Sequence, residues 1–365
     1  MASSLPVFRA TPASAAVSLH DGAQLANGVI LPWVGYGTYK LGKQNVRHCT
    51  LEALRQGYRC IDTAFIYGGE TTESLVGSAL QDATSAHILK REDVVIITKH
   101  WRNYHGYDLT MECLEKSLER LQVDYVDVWL MHWPGPAWKS MPGEKKNEIE
   151  VWKHAHQSKD EMPRLRSETW RAMEDAVRAK KVKAIGVSNF TIDHLERLKE
   201  TATMWPPAIN QIECHPLYPQ TQLREYCAKE GILVQAYASL GGQDSGKAFW
   251  KQVFVPQKGQ KSATMLWNAP PVLELASKLN KTPAQILLRW ALDNGVAVVP
   301  KTARPERMRE NSEVFGFILT SEDIRQLNYQ FKQAIEDVAK RESQDSVSMG
   351  RLCWRSDPLR LLNFD

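Results

Sequence analysis

The sequence predicts an α/β fold, a (β/α)8 TIM barrel with an N-terminal β-hairpin, long active-site loops and a C-terminal tail. Three observations carry this expectation. Eight short β-rich runs alternate with helical patterns, which implies a parallel sheet, and a count of eight closes it into a barrel. The length of 365 residues suits one large barrel, read here as a single domain over 1–365. No GxGxxG follows any strand, since GYGTYK and LGGQDSG both miss the spacing, so the Rossmann route to a dinucleotide is closed.

In chain order, residues 1–15 are rich in Ser, Ala, Thr and Pro, lack acids, and are expected to be disordered. AVSLHDGAQLANGVIL reads as a β-hairpin across the barrel bottom. The expected strands are Leu31–Tyr36, Arg59–Thr63, Val94–Thr98, Val126–Met131, Ala184–Val187, Ala208–Ile212, Leu233–Tyr237 and Val296–Val299. Helical segments are expected at Gln44–Gln56, Glu73–Leu80, Leu109–Leu121 and Glu168–Lys180. Others are Ile192–Glu200, Gln220–Lys229 and Pro283–Asp293. In YDLTMECLEKSLERLQ, Leu114, Leu118 and Leu121 form a stripe of period 3.6 with charges opposite. Two long loops, Gly135–Ser167 and Gly241–Asn268, interrupt the alternation. The tail over 341–365 carries Leu352, Cys353, Trp354, Leu361, Leu362 and Phe364, and so apolar a segment is expected to dock near the substrate pocket.

Composition is that of an ordinary soluble globular protein, 43% hydrophobic and 24% charged. A net charge of +4 gives no ground for a nucleic-acid partner or a membrane surface, and no apolar run spans a bilayer. The six cysteines contain no CxxC pair and match neither a disulfide scaffold nor a zinc spacing. Cys60 and Cys214 read as small buried hydrophobes, and a reducing, cytoplasmic location and a monomeric state are expected.

In an α/β barrel, chemistry sits at the C-terminal strand ends. Those positions hold Asp62 after strand two, Lys99 after strand three and His132 after strand four. Neighbouring strands lie about 4.8 Å apart, so the three side chains converge. Tyr67, five residues past Asp62 in CIDTAFIYGGE, can fold back over the same mouth. Each residue alone has an ordinary use as a cap, a rim charge, a core histidine or a packing aromatic. Together they form a general-acid site for a carbonyl oxygen that gains negative charge. A phenol with an ordinary pKa near 10 is a sluggish donor. A lysine about 4 Å away would stabilise the phenolate by roughly 4 kcal/mol at an effective dielectric of 20. Asp62 would hold Lys99 charged and aimed, and His132 would hydrogen-bond the substrate oxygen.

These residues, in this order, resemble the aldo-keto reductase family. The similarity runs from about Gly35 to Asn311 and is carried by GYRCIDTAFIYG, CLEKSLERLQVDYVDVWLMHWP, KAIGVSNF, NQIECHP and VPKTARPERMREN. The resemblance implies a catalytic tetrad of Asp62, Tyr67, Lys99 and His132, with Tyr67 donating a proton while NADPH delivers hydride to an aldehyde or ketone. His132, where double-bond reductases of the family carry glutamate, implies carbonyl reduction. It further implies that Ser188, Asn189 and Gln211 hold the nicotinamide carboxamide and that Tyr237 stacks on its ring. By the same resemblance, Gly37, Thr38 and Leu240 would border the cofactor. Lys301, Thr302 and Arg307 match the family's 2′-phosphate pocket, with Glu310 and Asn311 at the adenine; two cations around a phosphomonoester favour NADPH over NADH.

The chain also departs from the family. Tyr237-Ala238-Ser239-Leu240-Gly241 replaces the usual Tyr-Ser-Pro-Leu-Gly, so any pyrophosphate contact there falls to backbone groups. The next loop is longer than usual and carries Lys247, Phe249, Trp250 and Lys251. Its Asp244 is the candidate latch to Lys40 and Lys301. Tyr39, Trp101, Trp133 and Trp354, with Tyr67 and His132, match the substrate walls, which have no dedicated cationic group. Two other readings remain: an NADPH-binding barrel with a structural or regulatory role, and a metal-dependent hydrolase using His154 and His156. The latter pair is in a loop rather than at a strand end.

Overall fold

The computed structural model describes residues 9–135, 161–242 and 265–341. Asp244 and its neighbours in the long loop, the His154–His156 pair and the tail residues around Trp354 lie outside the described residues. An opening three-stranded sheet contains β1 (Arg9–Ala10), β2 (Asp21–Gln24) and β3 (Ile30–Pro32). The barrel strands follow: β4 (Tyr36–Gly37), β5 (Cys60–Asp62), β6 (Val95–His100), β7 (Val126–Met131), β8 (Val182–Ser188), β9 (Ile209–Glu213), β10 (Leu233–Tyr237) and β11 (Ala297–Val298). They pair in sequence order, every neighbour parallel. The sheet closes where Val34 bridges Val298, the Gly35 N–H reaches the Val298 carbonyl at 2.8 Å, and the Gly37 N–H reaches that of Pro300 at 3.1 Å.

Helices α1 (Lys43–Arg55), α2 (Thr72–Ser85), α3 (Tyr107–Leu121), α4 (Met162–Arg178) and α5 (Ile192–Lys199) pack outside the first strands. Helices α6 (Thr221–Glu230), α7 (Pro270–Leu279), α8 (Pro283–Asp293), α9 (Pro305–Ser312) and α10 (Ser321–Arg341) complete the layer. With helices on one face and the barrel core on the other, β6 and β7 are buried at every position, which is why Val95–Ile97 and Val128–Met131 are unbroken apolar runs. Local chemistry sets the helix ends. The Thr282 hydroxyl accepts from the Gln285 N–H while the Gln285 side chain accepts from that of Thr282, a capping box with Pro283 at the first helical position.

The hairpin forms as expected, β2 antiparallel to β3, and the Asn27 side chain at its tip donates to the Lys183 carbonyl near the start of β8, on the floor of the barrel. Three expectations need correction. Residues 9–15 are ordered: β1 pairs with β2, Ala13 is buried, and the Trp33 indole donates to the Thr11 carbonyl at 2.7 Å. The expected strand Leu31–Tyr36 is two strands, because the chain changes partner there: the Trp33 N–H bonds Asp21 in the hairpin and the Gly35 N–H bonds Val298 in the barrel. Helix α4 begins six residues before Glu168, with Pro163 in its first turn, and so takes the end of the first long loop.

Helices α2 and α3 approach closely at Gly77, where a Cβ would lie 2.5 Å from the Leu121 carbonyl oxygen and 2.9 Å from that of Arg120. Overpacking typically costs about 1–3 kcal/mol, against about 0.8–1 kcal/mol of helix propensity gained by alanine. Gly77→Ala is therefore expected to lower stability by roughly 1 kcal/mol or more in urea denaturation; an unchanged midpoint at constant slope would refute the contact.

Candidate active site

The strand register sets Asp62 opposite Ile97 and Lys99 opposite Leu130, so consecutive strands deliver their last side chains to one mouth. Lys99 Nζ lies 2.8 Å from both Asp62 carboxylate oxygens, donates to the Thr63 carbonyl at 2.8 Å and approaches the Tyr67 hydroxyl at 3.3 Å. His132 follows β7, its N–H continuing the ladder to the His100 carbonyl, and its ring lies edge-on to Tyr67 at 5.9 Å. All four residues expected from the sequence meet in one place.

Lys99 has no exposed surface, and burial holds its pKa below the ordinary lysine value, with the Asp62 carboxylate opposing the shift. The ammonium expected to act on the phenol is thus half of a neutral pair. Its long-range field is weaker than that of a lone cation, and its influence on Tyr67 is that of a hydrogen-bond donor at short range. Asp62 is held in turn by Gln211, whose side-chain nitrogen donates to it at 2.7 Å and to Gln235 at 2.7 Å. Gln235 was not singled out from the sequence; its signal is an amide in the middle of a buried strand, VQAY, where only a polar partner offsets the cost of burial.

The residues assigned to the nicotinamide are also linked. The Asn189 side chain donates to the His132 carbonyl at 2.9 Å and to the Ser188 hydroxyl at 3.1 Å, and accepts from the Tyr237 hydroxyl at 2.7 Å. Asn189 holds a left-handed backbone, φ 63°, which turns its amide into the mouth. The Tyr237 ring and Leu240 are half-buried, while Ser239 is buried with its hydroxyl on the Ala236 carbonyl. Thr38 is buried and bonds the Asp62 carbonyl through its hydroxyl at 2.9 Å. Beyond β11, Lys301 is half-buried, the Thr302 hydroxyl accepts from the Arg304 N–H, and Arg307 is exposed in the first turn of α9. Glu310 accepts the Thr282 hydroxyl at 2.6 Å, and Asn311 is buried beside it.

Phe65, Trp101, Cys113 and Trp133 form a small apolar cluster separate from the main core. Trp101 and Trp133 flank the His132 ring at 5.6 and 6.1 Å, and Tyr39 lies 4.9 Å from Tyr67. The buried Arg102 guanidinium lies 4.8 Å from the Trp101 ring. Among the described residues, no group of three or more His, Cys, Asp or Glu side chains could hold a metal, and no helix is long and apolar enough to cross a membrane. The five cysteines there are free and buried.

The Aldo/keto reductase family profile matches residues 34–329, and the chain belongs to that family. Its relatives include the glyoxal reductase of Bacillus subtilis, 36% identical over 85% of this chain and 93% of that protein. The NAD(P)H-dependent D-xylose reductase of Candida tenuis is 36% identical over 83% and 91%. Among solved structures, a Bombyx mori aldo-keto reductase in complex with NADP has a TM-score of 0.68 at 30% identity, covering 88% of this chain and 97% of that one.

At the end of β6, the His100 ring packs 5.0 Å from that of His105, both buried. Burial pushes His100 down to about 4, and His105 well below the ordinary histidine value, with the neighbouring His100 and Arg166 adding to the effect. Between pH 6.5 and 4 the unfolded chain therefore binds protons that the folded one refuses, so this contribution to stability is complete above about pH 6.5 and is lost on acidification. For His100 alone the loss between pH 7.5 and 5 is about 2 kcal/mol. Urea denaturation at the two pH values should show it, with a smaller difference in His100→Leu; equal pH dependence in the two proteins would refute the assignment.

Proposed function

We propose that the protein reduces aldehydes and ketones to alcohols with NADPH, and that Tyr67 supplies the proton. The observation that carries this reading is the Tyr67 hydroxyl 3.3 Å from the Nζ of a lysine fixed on Asp62. NADPH, when bound, supplies hydride to the carbonyl carbon. The Tyr67 hydroxyl gives its proton to the carbonyl oxygen, and the Lys99 ammonium donates a hydrogen bond to the phenolate left behind. His132 points the substrate oxygen at the phenol, and Trp101 and Trp133 keep its surroundings apolar. Lys99 stays charged because the Asp62 carboxylate and the Thr63 carbonyl hold it.

The donor set fits the cofactor. Asn189 and Ser188 present amide and hydroxyl groups beside a half-exposed Tyr237 ring, a match for a carboxamide and a flat heterocycle. Gln211 combines that role with holding Asp62. Lys301 and Arg307 bracket Thr302 with the charge a 2′-phosphate needs.

Tyr67→Phe is expected to abolish NADPH oxidation at 340 nm with an aldehyde panel, while quenching of tryptophan fluorescence by NADPH persists; near-parental turnover would remove Tyr67 as donor. Arg307→Ala is expected to weaken NADPH about tenfold and leave NADH nearly unchanged, on the scale of a charge-assisted hydrogen bond. Equal losses for both would refute the phosphate pocket.

A further inference from the structure

The loop that carries Tyr67 is gripped from behind by one arginine. Arg120, in the last turn of α3, contacts this loop on both sides of Tyr67. Its Nη2 lies 2.6 Å from Glu70 Oε2, and its guanidinium carbon lies 4.2 Å from the centre of the Phe65 ring. Its Nη1 is 3.6 Å from Glu73 Oε2, in the first turn of α2. Glu73 is fully buried and accepts the hydroxyl of Thr98, the residue before Lys99, at 2.6 Å. The contact at Gly77 brings α3 close enough for Arg120 to reach.

The backbone between these anchors needs such a grip. Gly68, Gly69 and Glu70 take φ of 62°, 63° and 72°, three successive left-handed residues immediately after Tyr67. Two glycines make a soft hinge. Glu70 accepts the same unfavourable conformation with a side chain, and that side chain lies on Arg120. A partly exposed ion pair contributes little to global stability, so its consequence falls on the geometry of the loop.

We propose that Arg120 is a positioning residue for Tyr67. Bridging Glu70 and Glu73 and stacking on Phe65, it holds the hinge so that the phenol stays within reach of Lys99. The inference rests on the reading of Tyr67 as proton donor and extends it to a residue on the outer side of the barrel wall.

The test uses the full-length protein with NADPH and benzaldehyde, in Glu70→Gln, Arg120→Met and the double variant. Each single change should lower kcat about tenfold, below the roughly 100-fold that a 1 Å misplacement can cost. NADPH affinity by fluorescence quenching should stay near parental in both single variants, and Tm should stay near parental in Glu70→Gln, which leaves the buried Glu73 paired with Arg120. The double variant should lose no more than the worse single one, because both remove the same clamp. The isotope effect on kcat with deuterated NADPH should rise as transfer slows relative to product release. Parental kcat in Glu70→Gln and Arg120→Met would overturn the proposal, as would a joint fall of kcat, NADPH affinity and Tm in Glu70→Gln, the pattern of a purely structural role. If Arg120→Met does not fold, Glu70→Gln decides alone. An active Tyr67→Phe would instead remove the donor reading itself, whereas an inactive Tyr67→Phe beside a parental Glu70→Gln removes only the clamp.

Discussion

An ammonium with no exposed surface sits 2.8 Å from both oxygens of a carboxylate at the top of this barrel, and the surrounding residues are arranged to keep that pair intact. Removing one partner of a buried pair typically costs about 3–5 kcal/mol, because the other is left charged in a medium that does not solvate it. Gln211 and Thr63 satisfy hydrogen-bonding capacity that the pair itself leaves over, and Gln235 supports Gln211 in turn. The mouth is thus ordered outward from Lys99, and Tyr67 is the member of the set that faces both the lysine and the open side.

The site has two layers. Strand ends supply the inner one, which is rigid because the barrel is rigid. The Tyr67 loop is different: it leaves β5 and passes through left-handed residues before α2 begins, so its precision depends on contacts made behind it. Glu73, Arg120 and Phe65 lie on that outer side. Support for the loop thus comes from behind it, apart from the strand-end residues at the mouth.

Much of this was legible in the chain. Strands such as Val126–Met131 and Leu233–Tyr237 and the helix Pro283–Asp293 agree with the sequence reading at both ends, because apolar runs bounded by turn residues or a Thr-Pro start leave little choice. Asp62, Lys99 and His132 stood out by position alone, each at the end of such a run. What could not be read depends on partners distant in sequence. The split at Trp33–Gly35 follows from one segment serving two sheets. Gln211 holding Asp62 links residues 149 apart, and no local pattern announces it. Arg120 looks like an ordinary surface charge of an amphipathic helix until α2 and α3 are seen to touch at Gly77.

The barrel closes through its two shortest strands, β4 and β11, and the residues just beyond them are Thr38 and Tyr39 on one side and Lys301 and Thr302 on the other. The Tyr36 hydroxyl crosses that junction to the Thr302 carbonyl at 2.5 Å. A molecule that touches both flanks of the junction binds only a chain whose first and last strands have met. Occupancy and ring closure then become linked equilibria, so a nucleotide lying across this junction would act as a clasp on the fold as well as a reagent, its hold on the chain strengthening with its free concentration.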